Sequence, residues 1–236
     1  TIYFSINCIV ATEKSPKFFN IENTIQKLNQ IFASSYIQFQ LLPVISYKPQ
    51  KYNLDEIEAN SRNRRHVTKN LEKTKVINLF IVPHGKYLNG FTLVIPENFS
   101  TYFNLLECNT TFISEKAWFN SSTLSHELGH FFGLQHTFGK SPAENTTFEK
   151  PDGSNCLDEA DFICDTPADP NGKINGRCEF IGLSDKKMHD FKPLINNYMS
   201  YYQNTCKNEF TEEQKMAMNA FANKYRNYLK IKKQTK

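Results

Sequence analysis

The segment His126-Glu127-Leu128-Gly129-His130-Phe131-Phe132-Gly133-Leu134-Gln135-His136 holds three imidazoles and a carboxylate at a spacing that suits one metal ion. On an α-helix, residues 126 and 130 lie one turn apart on the same face, so both rings reach a common point. Glu127 is rotated by about 100° from His126 and stands beside such a metal without filling a coordination position. His136 lies ten residues beyond His126, and in an unbroken helix it would be ~15 Å further along the axis. Nitrogens each ~2.0–2.1 Å from zinc cannot be spread that far, so the chain must turn sharply between them. Gly133 is the residue that permits a positive φ at that turn. At this composition, chance produces such a set on the order of 10⁻⁵ of the time.

Neutral imidazoles with an oxygen in a fourth position favour zinc over magnesium or calcium. Three protein ligands leave that position open, the arrangement of catalytic rather than structural zinc. A zinc-bound water is acidified toward neutral pH, and Glu127 can activate it by taking its proton and passing that proton to a leaving amine. The expected chemistry is hydrolysis of a polarised carbonyl, most naturally a peptide bond. His66, His84 and His189 have no such partners nearby in sequence and are read as surface or loop histidines.

These side chains need a helix, a turn and a scaffold. Ser121–Gly133 is predicted as the helix, with Ser121 or Ser122 as its N-cap. Ahead of it, Ile2, Phe4, Ile6 and Cys8 alternate within a strand over Thr1–Thr12. Phe18, Ile21, Ile25, Leu28 and Phe32 recur at helical steps. Ile37–Ser46 returns to period two and ends at or soon after Pro43. Leu54–Lys73 is polar, a surface helix or loop, and Val76–Val82 is a buried-type strand. Phe91–Ile95 is another strand after the turn signal Asn89-Gly90, and Thr111–Ser114 is a short last one. Strands separated by helical patterns point to an α/β-type sheet layer. Gly139–Leu194 shows little periodicity, as functional or cross-linked stretches do. Thr211-Glu212-Glu213-Gln214 is a capping box opening a C-terminal helix, with Met216, Ala220 and Tyr228 on related faces. The basic tail Lys230–Lys236 reads as a frayed, solvated end.

The 236 residues can bury one substantial core. With 39% hydrophobic and 22% charged residues the chain is neither disordered nor membrane-spanning. Runs such as Ile77–Pro83 are far short of the ~18–20 apolar residues of a spanning helix. A net charge of +4 predicts neither nucleic acid nor membrane insertion. A monomer acting on a protein or peptide substrate is expected. The cysteines are Cys8, Cys108, Cys156, Cys164, Cys178 and Cys206. No CxxC pair occurs, and disulfides, thiolate ligation and buried free thiols all remain open. Four of the six fall within Cys156–Cys206, where hydrophobic periodicity is poor and staples would replace core. The chain starts at Thr1 without a basic-then-apolar leader, which is read as a secreted protein processed from a precursor. Sequons at Asn98, Asn109, Asn120 and Asn145 agree with export.

The histidine motif followed by a methionine turn, here Asn197-Tyr198-Met199-Ser200-Tyr201, resembles the signature of the metzincin metalloproteases. The details are similar to the pappalysin (cytophagalysin-type) family. They are Leu134-Gln135-His136-Thr137-Phe138, Asp161, Cys164-Asp165-Thr166-Pro167, the methionine turn, Cys206, Phe210-Thr211 and Gln214. Together they run from about Ser121 to Met216, while the N-terminal half matches in layout only.

The resemblance implies a zincin-like α+β fold with an α/β-type upper lobe. That lobe would hold a twisted, mostly parallel sheet with an antiparallel edge strand, a backing helix and the active-site helix. An irregular, disulfide-stapled lower lobe would end in the C-terminal helix. One catalytic domain over residues 1–236 is implied, divided at about residues 135 and 136. His126, His130 and His136 would hold zinc, with Met199 beneath them as a hydrophobic floor. Tyr201 would stabilise the oxyanion, and Phe91–Ile95 would pair with an extended substrate. Calcium would sit around Asp161 and Thr166, in an oxygen-rich stretch with Asp158 and Asp165. By analogy Cys178 pairs with Cys206, leaving Cys156 with Cys164 and Cys8 with Cys108. Thr205 stands where members that cut before basic residues carry an acid, so a preference for Arg or Lys is not implied. The implied activity is that of a secreted zinc endopeptidase. The competing readings are a catalytically inactive zinc-containing binding or adhesion module, which would need neither Glu127 nor Tyr201, and a basic surface-binding protein using its lysine-rich tail.

Overall fold

Strand β1, Ile2–Val10, is buried continuously from Phe4 onward, more than an alternating, one-face strand requires. Both faces are covered, as in parallel sheets flanked by helices. The buried Asn7 amide nitrogen is satisfied internally, Nδ2 donating to the Leu71 carbonyl (3.0 Å) and to Asn78 Oδ1 (2.9 Å). The computed structural model describes residues 1–93, 107–139, 147–182 and 191–232. Val94, Ile95, Asn98, Asn145, His189 and residues 233–236 lie outside them.

The helical stretch expected over Phe18–Phe32 is two helices, α1 (Pro16–Phe19) and α2 (Ile21–Ile31). They are broken at Asn20, whose φ of 45° is left-handed, a conformation asparagine tolerates better than most residues. α2 buries Ile21, Ile25 and Leu28 and packs along β2 (Ile37–Leu41), making it the backing helix. The period-two stretch beyond is interrupted at Pro43, so that β3 (Ile45–Ser46) is separate. The polar segment after it forms α3 (Leu54–Ala59), opened by an Asn53–Glu56 capping box, and α4 (Ser61–Thr68). Strands β4 (Ile77–Val82) and β6 (Thr110–Ser114) are wholly buried, and β5 (Gly90–Thr92) is half-buried.

The sheet order is β2-β1-β4-β6-β5, parallel except for β5, which runs antiparallel to β6. Thr110–Ser114 is therefore an inner strand, and β5 closes the described sheet beside the helix that carries His126 and His130. β3 extends the pairing along β1. The supposed frayed tail also joins the sheet: β7 (Lys230–Ile231) pairs antiparallel with Tyr3 and Phe4, anchored by the fully buried Leu229. One face of the sheet carries Phe4, Ile6, Leu79 and Ile113 against α2 and α5 (Ser121–Phe131). The other carries Ile9, Phe80, Val82 and Phe112 against Leu54, Ile57 and Val67 of α3 and α4.

α5 is capped by Asn120 rather than Ser121 or Ser122, its Oδ1 accepting from the Ser122 N–H at 3.0 Å. α6 (Glu212–Lys224) begins at the expected capping box. Its buried face is Gln214, Met218 and Ala222, whereas Met216 and Ala220 face solvent. Between α5 and α6 the described chain is loops, isolated bridges and two disulfides. Cys156–Cys164 and Cys178–Cys206 span Cα–Cα distances of 5.1 and 5.7 Å.

Cys8 and Cys108 are not bonded to each other, which corrects the third expected pairing; both are buried thiols. β4 intervenes, since Cys8 is opposite Leu79, and Leu79 is opposite Thr111 on the far side. Two strand spacings of ~4.8 Å exceed the Cα separation a disulfide can bridge.

Candidate metal centre

α5 presents His126 and His130 on one face, and the helix stops where the third histidine requires it. Gly133 has φ +90°, and a Cβ there would sit 2.4 Å from Phe221 Cδ2 of α6, so conformation and space both demand glycine. The Leu134 N–H returns to the Gly129 carbonyl at 3.0 Å, and the chain reverses to deliver His136.

His126 Nδ1 is 2.7 Å from the Tyr198 carbonyl, and His130 Nδ1 is 2.8 Å from the Leu134 carbonyl. A carbonyl oxygen only accepts, so both rings carry their proton on Nδ1 and present bare Nε2 lone pairs. The three Nε2 atoms converge at separations of 3.1 Å (126–130), 3.0 Å (130–136) and 3.2 Å (126–136). The bare lone pairs of His126 and His130 repel at this distance, and a shared cation would relieve them. Nitrogens in a tetrahedral zinc site lie ~3.3–3.4 Å apart, so the donor set fits zinc. Burial holds all three imidazoles neutral, His126 well below its ordinary range and His136 down at about 3. Among the described residues they are the one compact group of three metal-ligating side chains.

Met199 is fully buried against α5. A Cβ on Gly129 would come within 2.4 Å of its sulfur, so the helix admits the thioether only because residue 129 is glycine. The methionine turn is held from two sides. The Met199 N–H donates to Asn197 Oδ1 (2.8 Å), and its carbonyl accepts from Thr137 N–H, the residue after His136. The Asn197 amide in turn pairs with that of Gln214, through Nδ2 to Oε1 at 2.8 Å and Nε2 to Oδ1 at 3.2 Å. Gln214 is also the capping-box residue of α6, accepting from Thr211 N–H at 3.0 Å.

Glu127 is buried, with no hydrogen-bond partner for Oε2. Burial pushes its carboxyl up to about 8, opposed by a Thr92 hydrogen bond and the Lys207 charge. The β5 strand lies alongside, the Thr92 hydroxyl donating to the Glu127 carbonyl at 3.1 Å. The loop entering β5 is set by Asp55, which accepts from the N–H groups of Lys86, Tyr87 and Leu88 at 2.6, 3.0 and 2.9 Å. Beside Glu127 opens a cavity of about 410 Å³ between Tyr87–Gly90, the Thr123–Glu127 face of α5, and Tyr201–Asn204 with Lys207. Tyr201 stands at its rim, 55% exposed, with its ring 4.4 Å from that of His136 and 5.9 Å from that of His126. Lys207 donates to the Ser200 carbonyl at 2.5 Å. Thr205 lines a different groove.

The oxygen-rich stretch divides. Asp161 and Thr166 are together and buried, Thr166 Oγ1 lying 2.9 and 3.0 Å from the two carboxylate oxygens and 2.6 Å from the Ile163 carbonyl. Asp165 instead docks α6, accepting from Glu213 N–H at 2.9 Å, and Asp158 is exposed. Glu149, which the sequence did not single out, is buried with both oxygens unpartnered. Burial and neighbouring negative charge push Glu149 and Asp161 up to about 7. The sequence places Gly129 and Asn197 within motifs without assigning either a role, and it missed Lys207. Gly129 carried a signal, as a poor helix former inside a helical pattern.

A profile of the peptidase family described as pregnancy-associated plasma protein-A matches residues 60–223. An extracellular metalloprotease of Sordaria macrospora is 29% identical over 215 residues, covering 87% of this chain and 67% of that protein. One from Colletotrichum graminicola is 35% identical over 104 residues, covering 44% and 31%. The fold matches mature mirolysin from Tannerella forsythia, solved with a cleaved peptide, at a TM-score of 0.64 and 17% identity over 98% of this chain and 99% of that one. Mirolysin solved with a compound gives 0.66 at 18% identity, covering 98% and 96%.

Proposed function

The chain belongs to the peptidase family described as pregnancy-associated plasma protein-A, and from that premise we propose that it is a secreted zinc endopeptidase in which Glu127 moves the proton. Its character as a zinc metallopeptidase follows from the family and from the three-histidine donor set. The observation that carries the reading is the convergence of three Nε2 atoms within 3.0–3.2 Å, with two Nδ1 atoms turned to carbonyls.

Zinc held by His126, His130 and His136 supplies Lewis acidity, lowering the pKa of a water and polarising a peptide carbonyl. Glu127 stands beside the donor set with one oxygen unpartnered. It takes the water proton and delivers it to the departing amine. Tyr201, at the rim, donates its hydroxyl to the developing oxyanion. Met199 packs beneath the histidines and binds nothing. β5 pairs with an extended substrate running past the centre, which suits cleavage within a chain rather than at its end.

One catalytic domain over residues 1–236 acts as a monomer on proteins or peptides. Secretion is supported by the names of the fungal relatives and by the two disulfides. A calcium near Asp161 and Thr166 is supported by the unpartnered oxygens of Glu149, because buried carboxylates of one sign call for a cation.

Glu127→Ala tests the reading. The variant should bind zinc as the wild type does and lose peptide hydrolysis by about 10²–10⁴-fold. Substantial remaining hydrolysis would remove Glu127 as the base. A zinc-loaded wild type that cleaves no peptide would favour the binding module.

A further inference from the structure

Among the described residues, the cavity beside Glu127 is lined by one lysine and no arginine. Apart from His126 and Glu127, its lining is Lys207 and uncharged groups such as Thr123, Asn89, Gln203 and Asn204. Lys207 follows Cys206, whose disulfide to Cys178 ties down the backbone there. Its ammonium has three hydrogens and donates one bond, to the Ser200 carbonyl. Among the described residues it forms no ion pair. The carboxylates whose charge reaches it are Glu127 and Asp169. Glu127 has the proton to carry, and Asp169 is already held by Thr137 Oγ1, Tyr202 OH and Asn171 N–H. Burial lowers Lys207 only to about 8, so it is charged at neutral pH. A half-buried ammonium with hydrogens to donate is a receptor for an anion.

The anion's place in the substrate follows from Glu127. The group that protonates the leaving nitrogen must reach it, and Glu127 forms a wall of this same cavity. The residue bearing that nitrogen therefore projects its side chain inward. At about 410 Å³ the cavity exceeds any one side chain, so charge discriminates here more than size.

We propose that Lys207 is a specificity-determining residue, selecting substrates with Asp or Glu immediately after the scissile bond. Lys or Arg at that position meets a like charge and is rejected. The inference rests on the peptidase reading, and its test separates the two.

The binding arm uses two C-terminally fluorescein-labelled pentapeptides that mimic the amine product and differ only in an N-terminal Asp or Asn. Fluorescence anisotropy with the zinc-loaded wild type should show the Asp peptide about 5–10-fold tighter, weakening as salt rises. In Lys207→Met the ratio should fall to about one. The cleavage arm compares matched substrates with Asp, Asn or Lys after the scissile bond. The expected order is Asp, then Asn, then Lys, with the difference mainly in KM. Lys207→Glu should reverse the order of Asp and Lys. An Asp-to-Asn ratio near one in the wild type, or one preserved in Lys207→Met, overturns the inference. Cleavage without acidic preference leaves the peptidase reading standing and removes this one. If nothing is cleaved, that reading fails while the binding arm still decides the role of Lys207.

Discussion

Gly129 sits inside α5, where glycine costs about 1 kcal/mol relative to alanine, yet its missing side chain is what Met199 occupies. Gly129→Ala should therefore act against its own helix propensity. It should weaken zinc binding by about 10-fold or more, as disturbed supporting residues do. Competition with a chromophoric chelator measures this, and an unchanged affinity would show that Met199 does not support the histidines. Tyr201 poses a different question, because its ring already contacts that of His136 and only its hydroxyl would do chemistry. Tyr201→Phe keeps the ring, so kcat should fall by about 10²-fold with KM little changed. An unaltered kcat would sink the oxyanion role.

Among the elements, α6 joins the two halves of the site. Its Gln214 closes the capping box and pairs with the Asn197 amide, and both residues are fully buried. Gln214→Leu keeps the volume but removes one of the two capping-box bonds, the Thr211 N–H to Gln214 Oε1, and leaves the Asn197 amide without that partner. A loss of about 2–4 kcal/mol is expected in denaturant unfolding. A change under about 0.5 kcal/mol, the scale of ordinary surface substitutions, would mean that the turn is held elsewhere. The long loop before α6 has its own test. Calcium should raise the midpoint of thermal unfolding, and Glu149→Gln should blunt the rise. Zinc must be kept saturating throughout, so that the two metals are not confused. No response to calcium would leave Glu149 and Asp161 as a buried acidic pair and nothing more.

For the whole molecule, the cysteines report the packing of the sheet against the loops. Alkylation followed by intact-mass measurement should label no cysteine in the native protein, two after unfolding without reductant, and six after unfolding with it. Six labelled without reductant would remove the disulfides, and none labelled would mean that Cys8 and Cys108 are bonded. Far from the loops, Arg226 locks the C-terminal segment to the core. Its guanidinium lies 3.9 Å over the Phe131 ring and donates to the carbonyls of Phe131 and Cys108 and to Asn109 Oδ1. The Phe131 carbonyl belongs to the C-terminal turn of α5, where a cation is favourable. The same bonds bury the Asn109 sequon, which is 2% exposed and unsuited to carry a glycan in the folded chain.

Much of the centre was legible in the sequence because it is local. Helix geometry alone brings His126 and His130 to one face and sets Glu127 aside, and a single glycine at 133 turns the chain toward His136. The α6 capping box was readable for the same reason, since its bonds close within one turn. The burial of α6 was not, because which face turns inward depends on what α6 packs against, and that moved the buried stripe to Gln214, Met218 and Ala222. Family likeness, rather than spacing, supplied Cys178–Cys206; the pairs it left over were right for Cys156 and Cys164 and wrong for Cys8 and Cys108, because β4 lies between the last two. Lys207 and Glu149 carry no pattern that marks them, and the motifs that name Asn197 and Gln214 do not show that the two side chains pair. Their roles arise from contacts across long stretches of chain, which depend on how separate elements pack and leave no period in the sequence. The sequence by itself determined which three histidines form a donor set that could hold a metal, and which carboxylate stands beside them. Only the tertiary structure decided what supports those residues and which side chain lines the cavity beside them, because both depend on how distant segments pack.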